Sequence, residues 1–213
     1  MYMEIKNKAL KQRIIDISYR HKLSHIGSCL TAVDIIEEIY NIKKPDEKFI
    51  NDAAHNSLAL YVVIEYNGGR NAEDIFKHHG VHCDRCTECG LDCSGGSLGQ
   101  GGAIGLGMAL ADRTKDLWCL TTDGALQEGI WWETLRIAKE QNVTNFKVIA
   151  NCNGFGAYKA INTDELEKRI QAFGFSVDIR RTDSDLPFAK GLKAHYHTMN
   201  EEEYEDTKNM LKM

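Results

Sequence analysis

Proline, clustered positive charge and long apolar runs are all scarce in this chain of 213 residues. Its only prolines are Pro45 and Pro187, and no low-complexity segment or internal repeat is present, which excludes a repeat array. Lys and Arg form no stripe and the formal net charge is −5, so we expect no binding to nucleic acid or to an anionic membrane. The longest apolar stretch, residues 103–111, is too short to span a bilayer.

The first residues also lack an apolar signal core, and we therefore expect a cytoplasmic protein. A chain of this length can bury a full core, so we expect one domain over residues 1–213. In the cytoplasm its seven cysteines are expected as reduced thiols or metal ligands rather than as disulfides.

Two glycine turns at the ends of apolar runs are the most informative feature of the sequence. The run 117–122 ends at Asp123-Gly124, and the run 146–150 ends near Asn153-Gly154, with a helix predicted between them at 128–141. Two parallel strands joined by a helix bring both turns to the carboxyl edge of one sheet, where α/β proteins bind ligands. A carboxylate and an amide oxygen at this edge suit magnesium or calcium.

Hydrophobic periodicity predicts further helices and one more strand, which together indicate an α/β fold. The predicted helices cover residues 6–20, 32–40, 57–66, 73–79, 103–111, 164–173 and a polar tail at about 200–212. The additional strand is predicted at 175–179. A turn at 24–28 precedes the second helix.

Several further motifs occur in order along the chain. The most specific is the stretch 90–101, which contains Gly96-Ser-Leu-Gly-Gln-Gly101. The others are Ser24-His25-Ile26-Gly27, the segment 47–61 with His55, His82, Asp123-Gly124 followed by Glu128 and Glu133, Asn153-Gly154, and His195 before a Glu-rich helix. Together these motifs resemble the cofactor-diphosphate half of transketolase. The resemblance implies a shortened thiamine diphosphate-binding fold, in which helices cover both faces of a mostly parallel sheet in a three-layer α/β/α arrangement.

The resemblance also implies roles for individual residues. Magnesium or calcium would be held by the side chains of Asp123 and Asn153 and by the Phe155 carbonyl. Thiamine diphosphate would lie against His55, Gly96, Ser97, Leu98, Gly124, Ala125, Asn153 and His195. The catalytic set would comprise His25 and His82 facing the donor sugar, His195 beside the diphosphate, and Glu128 and Glu133 in a proton network near a subunit interface.

The implied activity is transfer of a two-carbon ketol unit between sugar phosphates or nucleotide-linked sugars. The active site of this family also needs a pyrimidine-binding domain, for which this sequence has no counterpart. The resemblance therefore implies a separate pyrimidine-binding subunit in an α2β2 assembly. Two alternatives stay open: a decarboxylating thiamine diphosphate enzyme acting on a 2-oxo acid, and a non-catalytic module that senses metal or redox state on the same fold.

Four cysteines lie within eleven residues, in a segment at 82–94 that departs from the family pattern. The spacing of Cys83, Cys86, Cys89 and Cys93 resembles the ligand run of an iron–sulfur cluster, and tetrahedral zinc is the alternative. We therefore expect a cluster or a zinc ion close to the donor site, with a structural, redox or substrate-positioning role.

Overall fold

The computed structural model describes residues 6–184 and 186–212, which form a parallel sheet covered by helices. The strands are β1 (Lys48–Asn51), β2 (Leu117–Thr122), β3 (Phe146–Cys152) and β4 (Val177–Arg181). The helices are α1 (Lys8–Arg20), α2 (Ile26–Ile42), α3 (Ser57–Tyr66), α4 (Ala72–His79), α5 (Gln100–Ala111), α6 (Gly129–Glu140), α7 (Thr163–Ala172), the single turn α8 (Gly191–Ala194) and α9 (Glu201–Lys212). Short 3-10 turns lie at Ala54–Asn56, Thr87–Cys89, Ala125–Gln127 and Pro187–Ala189.

The four strands are parallel and lie in chain order, β1-β2-β3-β4, across the sheet. Thr122, the last residue of β2, pairs with Asn151 of β3, so these two strands end at the same edge. Parallel pairing requires a crossover between consecutive strands, and α6 lies in the crossover between β2 and β3. The turns that follow β2 and β3 are therefore neighbours.

Apolar side chains on the two faces of the sheet form two cores, one under each layer of helices. Leu120 and Ile149 lie in the core with α1, α2, α3 and α4, whereas Cys119 and Val148 lie in the core with α5, α6 and α7. Successive residues of a strand face opposite sides, so the same strands supply both cores. This is the three-layer α/β/α arrangement that the motifs imply.

Most of the predicted helices and strands are present, and their ends differ from the prediction by a few residues. The predicted start of the second helix at residue 32 is wrong, because α2 begins at Ile26 and includes part of the expected turn. The last strand lies two residues later than predicted, since β4 pairs with β3 from Val177 to Arg181. Its charged end belongs to the sheet, although hydrophobicity alone would end the strand earlier.

Strand β1 is absent from the sequence-based prediction. It has four residues, three of them buried, which is too short for a periodic signal. The strand forms because its backbone pairs with β2, from Lys48 opposite Leu117 to Asn51 opposite Leu120. Its carboxyl end leads directly into Asp52 and the 3-10 turn that contains His55.

The helices of the structure can be compared with the length and apolar character that a membrane-spanning helix needs. Helix α2 has 17 residues and carries three acidic side chains, Asp34, Glu37 and Glu38. Within the part of the chain that the structure describes, no helix is both long enough and apolar enough to cross a membrane. The cytoplasmic location stays a prediction.

Candidate active site

The turns after β2 and β3 meet through the side chain of Asp123. Its Oδ2 accepts a hydrogen bond of 2.7 Å from the Gly154 N–H, and its Oδ1 accepts one of 2.9 Å from the Gly124 N–H. Asn153 precedes Gly154, and its own Oδ1 accepts a hydrogen bond of 2.9 Å from the Phe155 N–H. The carboxylate and the amide that the sequence predicts as metal ligands thus lie in adjacent turns that contact each other.

Burial gives the Asp123 carboxylate properties that suit a cation site. The residue is 1% exposed, and burial raises the pKa of its carboxyl to about 6, although the Gly154 and Gly124 N–H groups act to lower it. A divalent cation would compensate this buried charge. Oxygen atoms of a carboxylate, an amide and a backbone carbonyl are the protein ligands that such a cation prefers. The donor set therefore fits magnesium or calcium.

Local sequence explains why both turns form. Gly154 has φ +84°, a left-handed conformation that glycine adopts without strain. In the first turn, the Thr122 hydroxyl accepts a hydrogen bond of 3.2 Å from the Ala125 N–H, which holds the 3-10 turn that follows. Ala125 is fully buried and Gly124 is half-buried, so this turn offers backbone rather than side chains to a ligand.

Four histidines from separate parts of the chain come together. The ring centroids of His25 and His195 are 4.3 Å apart, those of His25 and His55 are 5.4 Å apart, and those of His55 and His195 are 5.8 Å apart. His82 is near enough to His25 and His55 to influence their charge, and its ring lies against Gly96. The motif positions select the same four histidines, and their catalytic roles stay predictions.

Different elements place these rings. His25 has φ +62° immediately before α2, and its N–H donates a hydrogen bond of 3.1 Å to the His195 carbonyl. Its Nδ1 lies 2.8 Å from the Ser24 hydroxyl. His55 lies in the 3-10 turn after β1, and His195 directly follows α8. The start of α2 and the end of α8 are thus joined beside the candidate site.

Burial favours the neutral form of the His25, His55 and His195 imidazoles. Burial, followed by the neighbouring histidines, lowers the pKa of His25 to about 4 and that of His55 to about 3. Burial also lowers the pKa of His195. A neutral imidazole can donate one hydrogen bond and accept another, which suits contact with hydroxyl groups.

We expect the folded state to lose stability as the pH falls from about 6.5 to about 4, because the unfolded chain binds protons at His25 and His55 that the folded state excludes. His25→Asn removes one of these groups and keeps a residue that tolerates a left-handed backbone. When the pH is lowered from 7 to 5, the parent should lose stability that the variant keeps. The difference in free energy of unfolding, variant minus parent, should therefore rise by about 1 kcal/mol, a value reduced to allow for the partial solvent access of His25. Urea denaturation at both pH values measures the change.

His78→Asn provides the control, because His78 is exposed and lies outside the cluster of histidines. The free energy of unfolding of this variant should differ from that of the parent by the same amount at both pH values. Asp123 titrates in the opposite sense, since its pKa is raised in the folded state. Both proteins contain Asp123, so its contribution cancels when the free energy of unfolding of the parent is subtracted from that of the variant, and the contribution of the His25 imidazole remains. A His25→Asn curve parallel to that of the parent would contradict a neutral, buried His25.

A buried carboxylate outside the predicted set holds the glycine-rich segment in place. Asp52 is 1% exposed, and its Oδ2 accepts hydrogen bonds of 2.8 Å from both the Trp131 indole N–H and the Thr121 hydroxyl. Its Oδ1 accepts a hydrogen bond of 2.9 Å from the Gly101 N–H. Asp52 thereby links the end of β1 to β2, α5 and α6. Sequence reasoning missed it, because its partners are about 50 to 80 residues away and leave no local signal.

The glycine-rich segment itself runs from the rim of the site into the core. Gly96 and Ser97 are exposed beside His82, and Leu98 is half-buried. Further along, α5 packs so closely on α6 that a Cβ on Gly102 would lie 2.5 Å from the ring of the fully buried Trp131. This contact explains how a helix rich in glycine is stable, since close approach compensates for its low helix propensity.

Glu128 and Glu133 are not brought into the histidine cluster. Glu128 lies at the start of α6, where its carbonyl accepts a hydrogen bond from the Trp131 N–H, and its side chain is exposed. Glu133 is also exposed. Their role at a subunit interface stays a prediction.

A small cavity lies between the turn after β3 and two of the histidines. It is lined by Asn153, Phe155, His25 and His195, among others, and has a volume of about 40 Å³. Residues 189–191 and Ala194 line another side, and this segment packs against the start of α2. The second turn and two of the four histidines therefore border one space.

The cysteine-rich loop departs from the expected arrangement. Cys86 and Cys89 form a disulfide, which corrects the expectation that all the cysteines are reduced thiols or metal ligands. The pair forms because a tight turn, closed by a hydrogen bond from the Cys89 N–H to the Cys86 carbonyl, brings both sulfurs together. Cys83 and Cys93 are free and lie outside the group of ligand atoms formed by Cys86, Cys89 and His79. The expected set of four cysteine ligands is therefore not assembled.

Comparison with known proteins identifies the family. The sequence model described as 1-deoxy-D-xylulose-5-phosphate synthase matches residues 3–212, nearly the whole chain. The chain belongs to the family of this synthase and the transketolases. Within the family it corresponds to the N-terminal half.

Two curated relatives of this transketolase-family chain are themselves named as subunits. The chain is 24% identical over 198 residues to an apulose-4-phosphate transketolase subunit of Phocaeicola vulgatus, which covers 82% of this chain and 70% of that protein. It is 28% identical over 188 residues to a 6-deoxy-6-sulfo-D-fructose transketolase subunit of a Clostridium species, which covers 76% of this chain and 68% of that protein.

Solved transketolases share the fold. The structure of transketolase from Campylobacter jejuni superposes with a TM-score of 0.77 at 19% identity and covers 100% of this chain. This chain spans 43% of that protein, 28% of the length of a transketolase-like protein of Mus musculus and 30% of that of a transketolase of Buchnera aphidicola. The comparison with solved structures supports the three-layer architecture.

Proposed function

We propose that this chain is the diphosphate- and metal-binding subunit of a thiamine diphosphate-dependent transferase that moves a two-carbon ketol unit between sugars. The observation that carries the proposal is the hydrogen bond from the Gly154 N–H to the buried Asp123 carboxylate, which joins this carboxylate to the turn that carries the Asn153 side chain. His25 and His195 share a cavity with Asn153. Oxygen ligands at one sheet edge suit a divalent ion, and a divalent ion binds a diphosphate through its oxygens.

The residues of this chain would hold and orient the reactants. Asp123 and Asn153 would fix the ion and hence the diphosphate, while His55 and His195 would contact the phosphate oxygens. His25 and His82 would hydrogen-bond the hydroxyls of the donor sugar and the oxygen that gains charge during cleavage. When bound, thiamine diphosphate supplies the carbon nucleophile and the electron sink for breaking the bond next to the ketose carbonyl.

We propose further that a separate pyrimidine-binding subunit completes the active site in an α2β2 assembly. Support comes from the two relatives that are named as subunits, one of an apulose-4-phosphate transketolase and the other of a 6-deoxy-6-sulfo-D-fructose transketolase. Both names also specify sugars that carry an anionic group, a phosphate in one and a sulfo group in the other, which supports an anionic sugar such as a sugar phosphate as the substrate class. Glu128, immediately before α6, and Glu133, within it, are both exposed and would be available to a partner of this kind.

The test combines cofactor binding with turnover. The chain is mixed with a candidate pyrimidine-binding subunit, and thiamine diphosphate binding is measured by calorimetry with magnesium and with excess EDTA. We expect binding that requires magnesium, and ketol transfer from a ketose phosphate to an aldose phosphate only when both subunits are present. Absence of magnesium-dependent binding by the assembled pair would refute the proposal and favour the non-catalytic module.

A second candidate function is favoured by the description of the matching family model, which names a synthase of a 1-deoxyketose phosphate. A 1-deoxy product has a methyl group where a transferred ketol unit would leave a hydroxymethyl group, and an acyl unit from a 2-oxo acid would supply it. The two functions differ in their products. Release of carbon dioxide from a 2-oxo acid identifies the decarboxylating reaction, whereas ketol transfer releases a shortened aldose and no gas.

A further inference from the structure

A second group of potential metal ligands lies at the end of α4, apart from the turns of the candidate active site. It consists of one ring nitrogen of His79 and the sulfurs of Cys86 and Cys89, which all lie within 4.8 Å of one another. His79 Nε2 is 3.4 Å from the Cys89 sulfur. Cys89 is buried, and the other two residues are half-buried.

Backbone geometry creates this convergence. His79 is the last residue of α4, and Gly80 with φ +72° turns the chain away from the helix axis. The chain returns through a tight loop in which Cys86 and Leu91 exchange two backbone hydrogen bonds of 2.9 Å. Gly90, with φ +76°, allows the sharp reversal after Cys89. Both cysteine sulfurs are thereby presented to the helix end.

The remaining two cysteines of the run are directed elsewhere. The Cys83 sulfur lies 3.5 Å from the Cys93 carbonyl, and the Cys93 sulfur lies 3.1 Å from the Ser94 carbonyl. Neither sulfur belongs to the group formed by His79, Cys86 and Cys89. An iron–sulfur cluster with four cysteine ligands is therefore disfavoured by this loop.

We propose that in the reduced protein His79, Cys86 and Cys89 bind one zinc ion. Imidazole nitrogen and thiolate sulfur are the common ligands of zinc, and the ligand atoms of a tetrahedral zinc site lie roughly 3.5–3.8 Å apart. The 3.4 Å between His79 and Cys89 already approaches this spacing. Separation of the two sulfurs within the turn would complete the triangle. A fourth position stays open for water.

The proposal treats the disulfide as the oxidised, metal-free form of the same site. A dithiol reductant transfers two electrons and two protons to the Cys86–Cys89 bond and is itself oxidised to a disulfide. Zinc then displaces one proton from each thiol and binds the two thiolates and the neutral imidazole. The Arg70 guanidinium, whose Nη1 lies 3.8 Å from the Cys89 sulfur, places a positive charge beside this ligand.

Zinc at this site would fasten the loop that contains His82. Residues 80–85 connect the helix end at His79 to the Cys86–Cys89 turn, and an ion bound by His79 and both cysteines would hold this loop at both ends. His82 lies within it, with its ring packed against Gly96 at the rim of the candidate active site. The zinc site thus acts as a structural clamp on a substrate-facing histidine. This last consequence rests on the proposed function, whereas zinc binding does not.

The test uses cobalt as a spectroscopic probe for zinc. The full chain is reduced with dithiothreitol, exchanged into anaerobic buffer and titrated with Co²⁺ in the absence of thiamine diphosphate. We expect the thiolate-to-cobalt charge-transfer absorption and the intense visible bands of tetrahedral cobalt, both abolished when zinc displaces the cobalt. His79→Gln and Cys86→Ser should weaken binding at least tenfold.

His78→Gln and Cys93→Ser are the matched controls and should retain the affinity of the parent, since neither residue belongs to the converging group. Equal loss in Cys93→Ser would overturn this ligand set in favour of the four cysteines. Absence of a thiolate–cobalt band in the reduced parent, or a disulfide that resists reduction, would overturn zinc binding altogether. Neither result depends on thiamine diphosphate, so each is separate from a failure of the proposed function.

A further test uses the chain without substitutions, so its outcome does not depend on whether a variant folds. Zinc should slow alkylation of Cys86 and Cys89 by iodoacetamide in the reduced protein, as mapped by peptide mass spectrometry, and leave the rate at Cys93 unchanged. Hydrogen exchange of residues 80–91 should also slow when zinc is added. Equal alkylation of Cys86 and Cys89 with and without zinc would contradict the proposal.

Discussion

Asp123→Asn should greatly weaken magnesium-dependent binding of thiamine diphosphate by the assembled enzyme. The carboxylate contributes the only formal charge in the proposed ligand set of Asp123, Asn153 and the Phe155 carbonyl. Removing one partner of a buried charge pair costs about 3–5 kcal/mol, so we expect the affinity to fall roughly 150- to 4000-fold. Calorimetric titration of the cofactor at saturating magnesium measures this change.

The variant should still fold. The amide that replaces the carboxylate keeps one acceptor oxygen for two backbone donors, the Gly124 and Gly154 N–H groups, and we expect a loss of only about 1–2 kcal/mol in the free energy of unfolding. Asp116→Asn is the control, because Asp116 precedes the opposite end of β2 and is more than one-third exposed. Cofactor affinity within threefold of the parent in a folded Asp123→Asn protein would exclude Asp123 as a metal ligand.

Asp52→Ala should cause the largest loss of stability among single substitutions at polar residues near the site. It leaves three buried donors without their acceptor: the Trp131 indole N–H, the Thr121 hydroxyl and the Gly101 N–H. Each buried donor left unpaired costs about 1–3 kcal/mol, and relief of the buried charge offsets part of the sum. We expect a loss of about 3–5 kcal/mol, which corresponds to a fall of roughly 10 °C in Tm.

Urea denaturation and calorimetry of the chain measure this loss. Asp46→Ala is the matched control, because Asp46 lies just before β1, is 58% exposed and forms an accessible ion pair of 3.2 Å with Lys115. Its removal should change the free energy of unfolding by no more than about 0.5 kcal/mol. Similar stabilities of the two variants would show that the Asp52 hydrogen bonds do not hold the glycine-rich segment in place.

Much of the fold was predictable because it rests on local patterns. The strand Leu117–Thr122 was predicted with its observed ends, since its apolar run stops abruptly at Asp123-Gly124. Helices α3 and α6 were predicted to within a residue at each end because both have continuous apolar or amphipathic patterns. The candidate metal turns followed from the same logic, because parallel strands joined by one helix must end at one edge of the sheet.

Features that depend on distant partners were not predictable in the same way. The strand β1 exists through its pairing with β2, more than sixty residues later, and its four residues carry no pattern of their own. Likewise, no local pattern distinguishes His79, and its approach to Cys89 depends on the reversals at Gly80 and Gly90.

The sequence by itself determined the class of fold, the position of the two oxygen-bearing turns and the identity of the four clustered histidines. These depend on residue order, apolar periodicity and motif spacing, all of which are properties of short stretches of chain. Only the tertiary structure decided that Asp52 holds three elements together and that Cys86 and Cys89 converge with His79 rather than with Cys83 and Cys93. The reason is that hydrogen bonds and ligand geometry depend on side-chain direction, which packing between distant segments sets.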